Sequence, residues 1–268
     1  MQLYLLAILA LFGFTYKVAA SIYGLLFMPY GLKNRLNNFY TRHSSYYNAL
    51  SPKLQNKFLS RIHALSFSIK IKGRQEFNVT DEVKWFVLGS LVQLTFGLNH
   101  YKLSKFRHII IYPDAYISPI TKNLHHGEVH PRGLIVLSWK SFVKGYAIPD
   151  DCINLGLHEL AHAFMHTIMY TNNHEMGLDE QLESIIKISK QEIEKIKSGN
   201  THYLRSYAGS NIHEFFAVAI EYFFEDPKGF KENLPILYKR LSHFLKQDPA
   251  NNCFRLKLSP IYKSSYTR

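Results

Sequence analysis

"NLGLHELAHAFMH", residues 154–166, is the stretch on which the fold turns. It sets His158, His162 and His166 four residues apart in an otherwise apolar segment, the spacing of one helical face. His158-Glu159-Leu160-Ala161-His162 satisfies H-E-x-x-H. At i, i+4 two imidazoles stand one turn apart, close enough for both to reach one Zn²⁺ at about 2.0–2.1 Å. Glu159 projects beside them, where it can carry a proton from a metal-activated water to a leaving amine. His166 lies about 12 Å along the axis from His158, and three ligands strung along one face cannot surround one ion, so it is read as packing. The metzincin extension needs a glycine at position 165 and a histidine at 168, and this chain has Met165 and Ile168, which excludes that class.

A catalytic zinc takes a third protein ligand and leaves a fourth position open, so another element must contribute. Glu175, Glu180 and Glu183 follow at workable distances, but the last two open a charged helix, "DEQLESIIKISKQEIEKIK" (179–197), where first-turn acids compensate the helix dipole. Glu214 differs. It sits in "NIHEFFAVAIEYFFEDP" (211–227), an almost wholly apolar helix in which an inward acid needs a strong partner, and a metal ion is one. Glu221, two turns later on the same face, can accept a hydrogen bond from a ligand histidine.

Working outward, the 268 residues, 47% hydrophobic and 15% aromatic, can bury a sizeable core. The formal charge of +12 is concentrated at one end: residues 1–75 hold ten Lys or Arg and no acid, which leaves 22 basic against 20 acidic residues in the remainder. That distribution argues against a nucleic-acid-binding module. The basic quarter begins with "QLYLLAILALFGFTYKVAASIYGLLFMPYGL" (2–32), long enough to span a hydrocarbon core of about 30 Å. Val18-Ala19-Ala20 resembles a signal-peptide cleavage site, and an interfacial helix is the other rival. The positive n-region of a signal peptide is missing, however, and the cations follow the apolar run, which favours a retained anchor with the bulk of the chain cytoplasmic. Two cysteines, Cys152 and Cys253, give no disulfide framework and fit a reducing compartment.

Between anchor and site, helical pieces break at Ser51-Pro52, and their cations read as a basic face on anionic headgroups. "TDEVKWFVLGSLVQLTFGL" (80–98) reads as a core helix with Thr80 as N-cap and Gly97 at its stop. "HIIIYPDAYI" (108–117) and "GLIVLSWKSF" (133–142) read as strands, and "NLPILYKRLSHFLKQDP" (233–249) as a closing amphipathic helix. The division expected is an anchor over 1–33, a basic helical region over 34–100, a catalytic domain over 101–250 and a tail over 251–268.

Taken together, "LSPKLQNKFLSRI" (50–62), "IIIYPDAY" (109–116), "GLIVLSW" (133–139), "NLGLHELAHAF" (154–164) and "YAGSNIHEFFAVAIEYFFEDP" (207–227) resemble the Mlc titration factor A family of zinc peptidases, itself similar to the anthrax lethal factor catalytic domain. The resemblance implies an α+β, zincin-like metallopeptidase domain with a small mixed sheet packed on helices, and one Zn²⁺ held by His158, His162 and Glu214. It also implies that Tyr207, seven residues before Glu214, faces the reacting oxygen and stabilises an oxyanion. The family is soluble and also binds a sugar-responsive transcriptional repressor. The apolar N-terminal segment here departs from that pattern, which bears on the repressor partnership and not on the peptidase chemistry.

The expectation is therefore a membrane-anchored zinc metallopeptidase at a bacterial inner membrane, acting on a peptide or protein substrate, with "GLIVLSW" offering an edge to pair with it. The rival is a zinc-containing regulatory binding protein without essential peptidase activity.

Overall fold

The computed structural model describes residues 27–251 apart from 149, 171–177 and 200–201. The apolar run before residue 27, Glu175 and Cys253 lie outside the described residues, and so does the tail beyond 251. Among the described residues no helix is long and apolar enough to cross a membrane. The fold is α+β, mostly helical, with a small mixed sheet.

Three helices come first: α1 (Tyr30–His43), α2 (Ser45–Ala49) and α3 (Pro52–Ser68). The break at Ser51-Pro52 falls where expected, because proline at the first helical position has no amide hydrogen to leave unpaired. The next helix, α4 (Asp81–Thr95), is capped by Thr80, whose hydroxyl accepts from the Val83 amide, and is buried on nearly every side from Phe86 to Thr95. A helix apolar all round has to lie inside. Its C-terminal carbonyls are satisfied from α3: the buried Arg61 donates to Thr95 O (3.1 Å), Phe96 O (2.8 Å) and Leu98 O. Lys57 stacks over the Phe96 ring at 5.1 Å. Both cations of the basic quarter thus serve a helix C-terminus, Arg61 from the interior and Lys57 from the surface.

The main sheet runs in the order β1 (Lys70–Gly73), β2 (His108–Tyr112), β6 (Leu134–Ser138) and β5 (Gly127–His130). Strands β1, β2 and β6 are parallel, with Ile109 opposite Ile135 and Ile111 opposite Leu137, and these side chains enter the core. Strand β5 is antiparallel to β6, Gly127 facing Leu137. A short hairpin, β3 (Tyr116–Ile117) with β4 (Leu124–His125), precedes β5. Two expectations are corrected here. The strand read over 133–142 stops at Ser138, whose hydroxyl accepts from the Ser141 amide and starts helix α5 (Trp139–Ala147). The segment "GLIVLSW" offers no edge, because β2 and β5 pair with both of its sides; the edge strands are β1 and β5, and β5 is the one beside the cleft. Strand β6 is paired on both sides within its own sheet, which leaves no open edge for a substrate.

The second half is helical: α6 (Leu155–Tyr170), α7 (Leu178–Lys197), a 3₁₀ turn (Ser206–Gly209), α8 (Ile212–Glu225), α9 (Pro227–Asn233) and α10 (Pro235–Leu245). Helices α6 and α8 pack along each other, α6 also touching β5, β6 and α4. Phe215, Phe216, Val218, Ile220, Phe223 and Phe224 of α8 are all buried, each large side chain removing about 1.5–3 kcal/mol of apolar exposure. One cluster of buried side chains extends from Leu36 to Leu245 and carries the site on its surface.

Candidate metal centre

Helix α6 is started by Asn154. Its side-chain oxygen accepts from the Leu157 amide at 3.0 Å, a cap of the kind worth about 1 kcal/mol. From that start the helix turns His158, Glu159 and His162 toward the cleft under β5, while Leu157, Leu160, Ala161, Phe164 and Met165 enter the core. Helix α8 brings Glu214 to the same point. Asn211 caps α8 by accepting from the amides of His213 (2.9 Å) and Glu214 (3.1 Å), which fixes the first turn that carries this acid.

The three side chains converge. His158 Nε2 lies 3.0 Å from Glu214 Oε2 and 3.1 Å from His162 Nε2, and His162 Nε2 lies 3.4 Å from Glu214 Oε2. Ligands about 2.0–2.1 Å from a tetrahedral Zn²⁺ stand about 3.3 Å from one another, so the triangle already has the size such an ion requires. Among the described residues this is the one group of His, Cys, Asp or Glu that could hold a metal. Glu221 stands behind His158: its Oε1 accepts from Nδ1 at 2.5 Å, which leaves the Nε2 lone pair for the ion. Glu221 is almost fully buried and takes two further hydrogen bonds, from the Asn154 amide to Oε2 (2.7 Å) and from Arg205 Nη2 to Oε1 (2.6 Å).

Three acids, Glu214, Glu221 and Glu159, crowd the histidine pair. Burial disfavours a charged His158, yet its hydrogen bonds to Glu214 and Glu221 push it up to about 10. Burial also works upward on Glu214, and hydrogen bonds from His158 and His162 hold it well below the usual carboxylate range. Glu159, 6% exposed, is driven up to about 8 chiefly by burial, against the pull of His158 and with Glu214, Glu221 and Glu128 adding to the rise. A carboxyl tuned near neutrality can both accept and return a proton. Tyr207, half exposed on the 3₁₀ turn, lies with its ring 6.0 Å from that of His158, and burial and Glu214 raise its hydroxyl pKa.

The glucose-regulated metallo-peptidase M90 family matches residues 27–246, most of the chain. The chain belongs to the M90 family. It is 25% identical over 225 residues to the Synechocystis sp. protein slr2042, covering 78% of this chain and 82% of that protein. It is 28% identical over 193 residues to Mlc titration factor A of Escherichia coli O7:K1, covering 65% of this chain and 71% of that protein, and matches the Shigella flexneri protein of the same name equally.

In this M90 chain the cleft divides into two cavities that share His125, Gly127, His158, Glu159 and Tyr207. One, of about 430 Å³, continues past Arg205 and Lys144. The other, of about 700 Å³, runs along Glu128 and Val129 of β5 toward His213. His166 lines the second cavity but is not among the three converging side chains; its ring packs edge-on to Phe106 at 5.4 Å and against Tyr170 at 4.5 Å. Glu180 and Glu183 are exposed on α7, in or just after its first turn. Three contributors escape the sequence reading. Asn154 carried a legible signal, an N-cap residue type immediately before the helix. Arg205 and Gly127 carried none, since their partners are distant in sequence.

Proposed function

We propose that the chain is a zinc-dependent metallopeptidase that hydrolyses peptide bonds. The observation that carries this reading is the triangle of His158, His162 and Glu214 with a buried carboxyl, Glu159, beside it. Zn²⁺ held there supplies Lewis acidity, polarising a carbonyl and bringing the pKa of a water down to about 7. Glu159 takes the proton of the attacking water and hands it to the departing amine. Tyr207 offers its hydroxyl to the oxygen that gains charge. The free edge of β5 orients an extended peptide by backbone pairing across the cleft, as an added strand. The arrangement fits a zincin-like domain. The apolar run before residue 27 supports an anchor that holds this domain at the cytoplasmic face of a bacterial inner membrane.

The first test is metal content. Purified full-length chain is expected to hold close to one zinc, Glu214→Ala to lose it and His166→Ala to keep it. Chelation should abolish peptide hydrolysis and added Zn²⁺ should restore it. A parent chain without metal, or loss through His166→Ala alone, would overturn this ligand set.

The name of the Escherichia coli relative, Mlc titration factor A, favours a second reading, in which the same fold binds a regulatory protein. A variant that binds metal but does not hydrolyse peptides separates the two: in the second reading it keeps its biological effect.

A further inference from the structure

Arg205 forms an ion pair with the buried Glu221, and nothing in the peptidase chemistry above uses it. It precedes the 3₁₀ turn and reaches back into the site, its side chain 24% exposed on the wall of the 430 Å³ cavity. One guanidinium nitrogen, Nη2, donates to Glu221 Oε1 at 2.6 Å, the same oxygen that accepts from His158 Nδ1. The other, Nη1, donates to the Cys152 carbonyl. Cys152 sits at φ 55°, a left-handed conformation that non-glycine residues seldom adopt and that its surroundings must hold, and the Arg205 bond to its carbonyl is one such hold. Two residues on, Asn154 donates its backbone N–H to Glu221 Oε2 and begins the histidine helix.

We infer that Arg205 is a positioning residue for the metal centre: it clamps Glu221 and the Cys152 loop in one fork, and thereby fixes the direction in which His158 presents Nε2. The planar fork suits this task because its two prongs hold a fixed angle, so the carboxylate and the loop cannot move independently. Without the clamp, Glu221 keeps the Asn154 amide at Oε2, and Oε1 is left with the movable His158 ring alone. The carboxylate is then free to turn about that bond, and His158 turns with it. Lysine retains the charge but reaches one partner at a time, so charge alone does not replace the fork. The inference rests on the metal-site reading above.

The test is a titration of full-length chain with Zn²⁺ against a competing chromophoric chelator, for the parent, Arg205→Ala, Arg205→Lys, Glu221→Gln and the double variant Arg205→Ala/Glu221→Gln. Loss of a group that orients a ligand typically weakens metal binding about 10- to 100-fold, and that loss is expected for both Arg205 variants. Because Arg205 acts through Glu221, the double variant should bind no more weakly than Glu221→Gln alone. The melting temperature of each metal-free variant separates this role from a purely structural one, which would lower the melting temperature and leave affinity unchanged. Affinity within twofold of the parent in Arg205→Lys, or additive losses in the double variant, would overturn the inference while leaving the metal site intact. A parent that binds no Zn²⁺ overturns both.

Discussion

Glu159→Gln is expected to lower peptide hydrolysis about 10²- to 10⁴-fold, the span over which a positioned general base contributes. The substitution keeps the shape of the side chain and removes its ability to take a proton. Glu159 is not one of the three converging side chains, so zinc content should stay at the parent's level. Stability should hold or rise. The carboxyl is buried and surrounded by Glu214, Glu221 and Glu128, and these charges together with desolvation are what push it up to about 8. A neutral amide relieves that conflict, because burying an ionised carboxylate without a paired cation is unfavourable. The measurements are kcat on a peptide, bound zinc per chain and melting temperature, taken together. Turnover at the parent's rate would remove Glu159 from the chemistry. Loss of zinc alongside activity would mean that the substitution had dismantled the centre, and the role of base would have no support from it. In cells, a zinc-loaded Glu159→Gln chain that still exerts its full biological effect would favour a regulatory binding protein over a peptidase.

The parts of this centre that the sequence exposes are those whose meaning is local. His158 and His162 are neighbours through helix geometry alone, so an i, i+4 spacing suffices to bring them together. Glu214 and Glu221 stand out because acids in an apolar helix demand partners, and two turns of helix put them on one face. Thr80 and the Ser51-Pro52 break announce helix starts by residue type. Other features depend on partners far along the chain. The four residues of β5, Gly-Glu-Val-His, have neither alternation nor a β-branched run; they form a strand because β6 leaves one side open beside them. The sequence alone points to the wrong edge strand for the same reason: β6 has the composition of an edge or an interior strand equally, and only the pairing order decides. Trp139 continues the apolar run of β6 in sequence, yet the Ser138 cap turns it into a helix. Cations such as Arg61 and Arg205 look alike as letters, and one closes a helix end while the other grips a buried carboxylate.

Gly127→Ala should bring activity down by at least about 10²-fold with zinc still bound. An ideal Cβ at this position would stand 2.4 Å from Glu159 Oε1 and 2.6 Å from its Cγ and Cδ. Contacts that short require movement. The backbone at Gly127 does not require glycine, since its φ is not in the left-handed region, so the restriction is one of space. The strand is held to β6 at Gly127–Leu137 and at the three following pairs, and Glu159 is held on a buried stretch of α6. The carboxylate is the softer party and is displaced. A misplacement of about 1 Å of a reacting group is enough to cost two orders of magnitude in rate. Overpacking should also lower stability by about 1–3 kcal/mol, which leaves the fold intact in most domains. The kinetic pattern identifies the cause. If the methyl acts on Glu159, kcat falls and KM holds; if it disturbs the β5 edge where the peptide pairs, KM rises instead. Combining the two changes sharpens the distinction, because Gly127→Ala should add little to a chain that already carries Glu159→Gln, the base being absent in both. Full activity in Gly127→Ala would show that β5 itself yields, and that the strand is loosely held against the site it borders.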